Sequence, residues 1–182
     1  MTKTISLSAL PLLALLLVPS PATAGDVEAN IRKAEDAAAL FKKKDPSLVG
    51  KFFANAAGYV VFPSIVKVAV GVGGAGGTGI LFEKGRPVGK ASVAQGTIGF
   101  QLGGQEYAEI IFFENALALS NFKDGNFAFA AQVSAVAAAS GAAATAKYQQ
   151  GVAVFTVAVG GLMYEASVGG QKFGYEPFGS KK

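Results

Sequence analysis

Two of the side chains that most often carry catalysis are missing from this chain. Its 182 residues include neither histidine nor cysteine. The protein therefore lacks the usual general base near neutral pH, the commonest metal ligand and any thiolate nucleophile. None of its serines lies in a G-x-S-x-G motif, and a Ser-His-Asp arrangement is impossible. We predict that the protein is not an enzyme, with no catalytic residue, no metal and no cofactor.

Carboxylates are the remaining candidates for acid–base chemistry. Glu106 and Glu109 lie close in sequence, and Glu114 and Glu165 could also contribute to a pair. A glycosidase-type site needs two carboxyl groups held a few ångströms apart. The twelve acidic residues are scattered along the chain. We therefore interpret Glu106 and Glu109 as a solvated strand edge.

The stretch from Ala56 to Leu81, AAGYVVFPSIVKVAVGVGGAGGTGIL, contains a formal G-x-G-x-x-G motif at Gly71–Gly76. A dinucleotide site needs a helix directly after the glycines, so that its N-terminus faces the pyrophosphate. Thr78–Phe82 instead has a strand pattern. We predict sharp bending or close backbone packing, with a Cβ forbidden at several positions. The positions concerned are Gly71, Gly73, Gly74, Gly76 and Gly79.

The same stretch, an A-x-G-x-x-x-F-P-S-x-x-K segment followed by G-G-x-x-G-x-G, resembles the SYLF domain family. Ile98–Gln105 is similar to the family's second strand-and-glycine signature, and Gly161–Met163 with Gly169-Gly170 to its closing hairpin. The similarity covers roughly Asp26 to Tyr175. It implies binding of acidic and phosphoinositide-type lipids. Eukaryotic members are linked to actin and many carry an SH3 or FYVE module; this chain has neither, so we do not expect actin binding.

Residues 1–24 have the pattern of a secretory signal peptide. Lys3 precedes an apolar run from Ile5 to Val18, and Ala22-Thr23-Ala24 forms an A-x-A cleavage site. The alternative is an uncleaved anchor, but the run is shorter than the roughly 20 residues of a spanning helix. We predict one mature domain, residues 25–182, that is exported to the periplasm or secreted and associates peripherally with a membrane. Without cysteine it forms no disulfide and no lipoprotein anchor.

Removing the signal leaves 158 residues (182 minus 24) with 15 basic and 12 acidic side chains, a net charge of +3. This mild excess favours anionic partners. An exported chain without a basic, aromatic-studded motif is not expected to bind nucleic acid.

The N-terminal part of this domain has helical periodicity. Asp26–Lys44 carries an apolar stripe with acidic residues in its first turn and lysines in its last, which matches the helix dipole. The residue before a proline avoids the α region, so the helix should end at Asp45-Pro46. Asp45 could then cap a second short helix that continues to about Ala54.

Strand patterns follow, with a hairpin turn at Lys84-Gly85. Asn115 is expected to cap a short helix through Phe122, closed by Asp124-Gly125. The alanine-rich stretch from Phe127 to Ala138 is read as a strand rather than a helix because its larger residues alternate, with Ser140-Gly141 in a loop. The predicted strands are Tyr59–Phe62, Val66–Val72, Gly79–Glu83, Pro87–Gln95, Thr97–Gln105, Ala108–Phe113, Phe127–Ala138, Val152–Val159 and Leu162–Val168.

The predicted fold class is α+β: an N-terminal helical pair followed by a strongly bent antiparallel β-sheet, barrel-like or sandwich-like. The leading function is non-catalytic binding of anionic lipid at a membrane surface. One alternative is a small integral outer-membrane β-barrel or a cell-envelope structural protein, and another is a secreted hydrolase. The lipid headgroup, any protein partner and the oligomeric state are left open.

The candidate lipid site is a cationic tip between the two N-terminal helices. Aromatic residues lie beside its lysines in sequence, and two more basic residues lie further back on the first helix. Near an anionic surface each lysine contributes about 1 kcal/mol. The alternative is that the aromatic residues are core and the lysines a solvated turn; a second possible site is Lys67, Lys84 and Arg86. The predicted lipid-binding residues are Lys42, Lys43, Lys44, Lys51, Phe41, Arg32 and Lys33, with Phe52 and Phe53 beside them.

Overall fold

The computed structural model describes residues 24–125, 135–159 and 170–179. Three helices, a π-helical turn and five strands follow one another along these segments. Residues 1–23 of the predicted signal peptide, residues 127–134 of the predicted strand Phe127–Ala138 and the predicted strand Leu162–Val168 lie outside the described residues. The elements are α1 (Ala24–Lys44), the π-helical turn (Val49–Phe53), β1 (Gly58–Glu83), β2 (Arg86–Phe113), α2 (Ala116–Lys123), β3 (Ala135–Ala137), α3 (Ala142–Thr145), β4 (Val152–Ala158) and β5 (Lys172–Pro177).

Helix α1 agrees with the predicted helix to within two residues. Its buried stripe consists of Ala34, Ala37, Ala38 and Phe41. These small side chains let the helix lie close to the sheet, and Phe41 at the end of the stripe has no exposed surface. The helix ends before Asp45, as the following proline requires.

The predicted second helix is present only as a short helical segment with π geometry. The backbone N–H of Ala54 donates to the carbonyl of Val49 at 3.1 Å, which is the five-residue spacing of a π-turn. The wider turn allows the consecutive Phe52 and Phe53 to contact the same ring, with centroid distances to Phe112 of 5.3 and 4.9 Å. The segment therefore adopts a π-turn in place of a regular α-helical turn, and both rings contact the sheet.

Strands β1 and β2 form one long antiparallel hairpin where the sequence predicted six separate strands. Pro63 does not end β1, because it lies at a register shift between Phe62 and Ile65 and β1 is at the edge of the described sheet. A proline without an N–H donor is tolerated at such a position. The predicted turn at Lys84-Gly85 is confirmed, with φ of 51° and 75°.

Close packing of β1 against itself explains part of the glycine tract. A Cβ at Gly77 would lie 2.6 Å from the carbonyl oxygen of Ser64, and a Cβ at Gly79 would lie 2.6 Å from that of Val61. The two ends of β1 thus double back on one another. The prediction holds for Gly79 but is wrong for Gly74 and Gly76, where the nearest atoms would be 3.5 and 3.6 Å away.

The sheet is mixed, and this corrects the predicted all-antiparallel sheet. Its order is β1-β2-β4-β3, with β5 also paired to β2, and in the described residues it is not closed. β3 runs parallel to β4, with Ala135 opposite Val154. The two strands β4 and β5 pair with different parts of β2, the former at Tyr107–Phe113 and the latter at Gly89–Ala94.

Each face of the sheet carries its own core. One face is covered by α1 and the π-helical turn; Phe52 packs on Phe112 and Phe155, and Phe41 belongs to the same buried cluster. The other face holds Phe62, Phe113 and Ile111, and is covered by Phe122 of α2 and Phe173 of β5. Helix α2 begins at the predicted cap, where the Asn115 side chain accepts from the N–H of Ala118 at 3.0 Å.

Candidate functional site

Three consecutive lysines form the exposed end of helix α1. Lys42, Lys43 and Lys44 occupy its last turn, where a positive charge is favoured by the helix dipole. The Lys42 ammonium lies 4.4 Å from the centroid of the Phe53 ring. We call these three lysines, together with the half-buried Phe53 and the 47% exposed Val49, the basic tip.

The basic tip carries charge that the described residues do not neutralise. Within the described segments, the ion pairs are Arg32 with Glu28 at 3.8 Å and Lys123 with Glu83. Neither involves a lysine of the tip. Positive charge beside an exposed valine and an accessible aromatic ring is suited to an anionic surface with an apolar interior.

Lys51 is directed differently from the three lysines of α1. Its ammonium donates to the carbonyl oxygens of Ala144 at 2.8 Å and Ala146 at 2.5 Å, at the C-terminal end of α3. It also lies 5.5 Å from the centroid of the Phe52 ring. Lys51 therefore has internal partners, and it connects the π-helical turn to α3.

The other predicted site residues are separated from the tip. Phe41 and Phe52 have no exposed surface, so both are core residues. Arg32 and Lys33 are exposed on α1, but about ten residues before the tip, which corresponds to roughly 15 Å along a helix. Lys42, Lys43 and Lys44 are thus consecutive exposed residues of the last turn of α1, and Arg32 and Lys33 do not lie beside them.

Asp45 fixes the loop directly below the tip. Its buried carboxylate accepts hydrogen bonds from the hydroxyl of Ser47 at 2.6 Å and from the backbone N–H groups of Ser47, Gly141 and Ala143. Burial acts to raise the pKa of Asp45, but these hydrogen bonds outweigh it and hold the pKa below its ordinary value. Asp45 and Lys51 thus bind opposite ends of α3.

Glu106 and Glu109 lie on opposite faces of β2 and cannot form a catalytic pair. Glu106 is exposed and accepts from the Ser64 hydroxyl at 2.6 Å, as expected for a solvated edge. For Glu109 that interpretation is wrong, because its side chain has no exposed surface. The alternation of Tyr107, Glu109, Ile111 and Phe113 on the core face could have revealed this burial.

Glu109 belongs to a buried polar cluster that was not predicted from the sequence. Its Oε2 accepts from the Nε2 of Gln171 at 3.1 Å, and the same amide lies 3.4 Å from the Tyr107 hydroxyl oxygen. Thr156 is opposite Glu109 on β4. Burial raises the pKa of Glu109 to about 8, and the hydrogen bond from Gln171 offsets only part of this effect.

The chain is distantly similar to a curated protein. No family model matches the chain. The chain is 27% identical over 162 residues to a beta cell expansion factor A from Aeromonas veronii. The alignment covers 85% of this chain and 59% of the relative, so the chain spans about three-fifths of the relative's length.

Proposed function

We propose that this protein is an exported, non-catalytic SYLF-like domain that binds anionic lipid, including phosphoinositide-type lipid, at a membrane surface. The observation that carries the proposal is the basic tip: three adjacent exposed lysines, unpaired within the described residues, beside Phe53 and Val49. The similarity of Ala56–Leu81 to the SYLF signature supports the same function. Neither of these two observations implies a catalysed reaction.

The expected contact is electrostatic with a small apolar component. Each lysine near an anionic leaflet contributes about 1 kcal/mol, so the three together correspond to an affinity change on the order of 100-fold. Val49 supplies an exposed side chain that can enter the headgroup region, while Phe53, which packs on Tyr59 and Phe112, supports the Lys42 ammonium. Lys51, Phe41 and Phe52 support the tip from below, because their partners are internal.

The rest of the proposal concerns the whole domain. We propose that residues 1–24 direct export and that the bent sheet completes a barrel-like or sandwich-like body. The doubling back of β1 at Gly77 and Gly79 supports a strongly curved sheet. Among the described residues, no helix combines the length and apolarity needed to cross a bilayer. N-terminal sequencing of the exported form is expected to begin at Gly25.

Flotation with lipid vesicles tests the binding site. The variant Lys42→Gln/Lys43→Gln/Lys44→Gln is compared with a control that removes three charges elsewhere, Lys84→Gln/Arg86→Gln/Lys172→Gln. All six residues are exposed, so both variants are expected to fold. Vesicles of neutral phosphatidylcholine are compared with vesicles containing phosphatidylserine or a phosphoinositide.

The tip variant should lose most binding to anionic vesicles, while the control variant should retain most of it. Binding of the wild type should weaken as salt rises, since exposed charges are screened over about 10 Å at 0.1 M. Equal losses in the two variants would refute the assignment to the tip, because either net charge alone or the second possible site at Lys84 and Arg86 would then explain the binding. Binding to neutral vesicles at the same strength would refute a role for anionic lipid.

A further inference from the structure

A single amide group joins two parts of the sheet that the strand pairing keeps apart. β5 pairs with the first part of β2, at Gly89–Ala94, whereas Glu109 lies in the last part of β2, which pairs with β4. Gln171, the residue directly before β5, reaches across to the carboxyl of Glu109 and the hydroxyl of Tyr107. All three side chains are buried.

The surroundings of Glu109 favour its neutral form. Phe62 is opposite it on β1 and Thr156 is opposite it on β4, while Tyr107 precedes it by two residues on β2. Of these three residues, Tyr107 is the one that titrates. Burial raises the pKa of Tyr107 most, and the nearby charge of Glu109 raises it further. In the part of the chain that the structure describes, no lysine or arginine faces Glu109 from these elements.

An ionised Glu109 would be poorly solvated in this position. A carboxylate offers about four acceptor sites, and here Oε2 has the Gln171 amide while Oε1 has no hydrogen-bond partner among the described residues. One charge-assisted hydrogen bond does not replace the lost hydration of a fully buried charge. Ionisation must therefore bring water to the carboxylate or remain unfavourable.

Of the two segments joined by this hydrogen bond, the one at Gln171 can open more easily than the one that carries Glu109. Glu109 itself lies in the middle of the β1-β2-β4 sheet, paired on both sides. Gln171 instead precedes a six-residue strand that pairs with β2 and carries Phe173 into the core. Local opening generally involves the elements with the least supporting structure.

We infer that Gln171, Glu109 and Tyr107 form a proton-dependent latch, which holds the start of β5 against the β2–β4 part of the sheet when Glu109 is protonated and releases it when Glu109 ionises. The hydrogen bonds of Gln171 identify the two parts of the sheet that are held together, and the burial of Glu109, with its Oε1 unpartnered among the described residues, sets the direction, because the Gln171 N–H by itself favours the ionised carboxylate. The latch is independent of the basic tip and of lipid binding.

Hydrogen exchange of the full mature chain tests the latch. Exchange of the β5 amides is compared between the wild type and Glu109→Gln at the same pH, from pH 6.5 to 9.5, which cancels the intrinsic pH dependence of exchange. The ratio of wild-type to variant exchange rates should rise by up to tenfold per pH unit as the pH approaches 8 and then level off, because above pH 8 Glu109 is ionised in the closed state as well. Glu106→Gln, which alters an exposed carboxyl on the same strand, should behave like the wild type.

Two results would overturn the latch. One is an identical pH dependence of β5 exchange in the wild type and Glu109→Gln. The other is exchange of the β5 amides that is no faster than that of the β1 and β2 amides at pH 8, because opening would then occur only by global unfolding. If Glu109→Gln does not fold, infrared spectroscopy of the wild type decides: one carboxyl must remain protonated at pH 7, and its absence would also refute the latch.

Discussion

Alanine substitutions within the glycine tract provide a direct test of how β1 packs against itself. Gly79→Ala would place a Cβ 2.6 Å from both the Val61 carbonyl oxygen and the Phe62 ring. Neither contact involves a side-chain end that can simply rotate away, so the backbone must shift. At Gly76 the nearest atom would be 3.6 Å away, an ordinary van der Waals distance, and the position is exposed. Gly76→Ala is therefore a matched control.

The two substitutions should have opposite effects on stability. Overpacking of this kind usually costs about 1–3 kcal/mol. Replacing a glycine by alanine where the space allows it stabilises by about 0.4–1 kcal/mol, because the unfolded chain loses entropy. Gly79→Ala should therefore be about 1.5–4 kcal/mol less stable than Gly76→Ala.

Urea denaturation followed by far-ultraviolet circular dichroism measures this difference. For a slope of about 2 kcal/mol per M, a cost of 2 kcal/mol lowers the midpoint of Gly79→Ala by about 1 M. Free energies of unfolding that agree within about 0.5 kcal/mol for the two variants would refute the close approach of the two ends of β1.

Three further predictions concern single polar side chains. Folding raises the pKa of Glu109 to about 8, so the stability contributed by its protonated form is fully present below the ordinary carboxyl pKa of about 4.3. The free energy of unfolding of the wild type should therefore fall by about 1.4 kcal/mol per pH unit up to pH 8. Urea unfolding of Glu109→Gln should show no such fall, and parallel pH curves for the two proteins would contradict this. Because folding lowers the pKa of Asp45, its contribution is present near neutral pH and is lost as acid protonates it; Asp45→Asn should be about 1–3 kcal/mol less stable at pH 7 and equal to wild type in strong acid. Removing the α2 cap with Asn115→Ala should cost about 1 kcal/mol in thermal or urea unfolding, whereas Asn121→Ala on the exposed face of the same helix should cost less than about 0.5 kcal/mol.

The elements predicted well from the sequence are those whose signals are local. The dipole-matched charges and apolar stripe of α1, the Asn115 cap and the Lys84-Gly85 turn each depend on residues within a few positions. β4 was also predicted to within one residue, because its apolar run is bounded by turn residues. Such signals need no knowledge of the rest of the fold.

The errors arose where distant partners decide the structure. Pro63 and the glycine tract suggested breaks, but pairing with β2 holds β1 together as one strand. Asp45 does accept from the N–H of its neighbour Ser47, as a cap should, but its hydrogen bonds from residues 96 and 98 positions away were not predicted. β5 was not predicted at all, since its alternating Phe173 and Tyr175 form only a short signal between turn residues.

The candidate site also contains residues with a local sequence signal and one residue whose partners are distant in sequence. The exposure of Lys42, Lys43 and Lys44 follows from their place at the end of an amphipathic helix, and sequence alone could identify them. Lys51 has the same residue type and lies nearby in sequence, but its partners are the carbonyls of Ala144 and Ala146. Nothing near Lys51 in the sequence indicates that interaction.

The length of the β1–β2 hairpin has a consequence for how the chain folds. Pairing begins with Glu83 opposite Arg86, three residues apart, and extends to Gly58 opposite Phe113, which are 55 positions apart (113 minus 58). Each new pair can form beside one already made, so no step has to close a large loop from an open chain. Most of the sheet can thus assemble outward from the Lys84-Gly85 turn, and the register shift at Pro63 lies near the end of that process. The docking of β4 and β5 then requires the long-range encounters, and these should limit the folding rate.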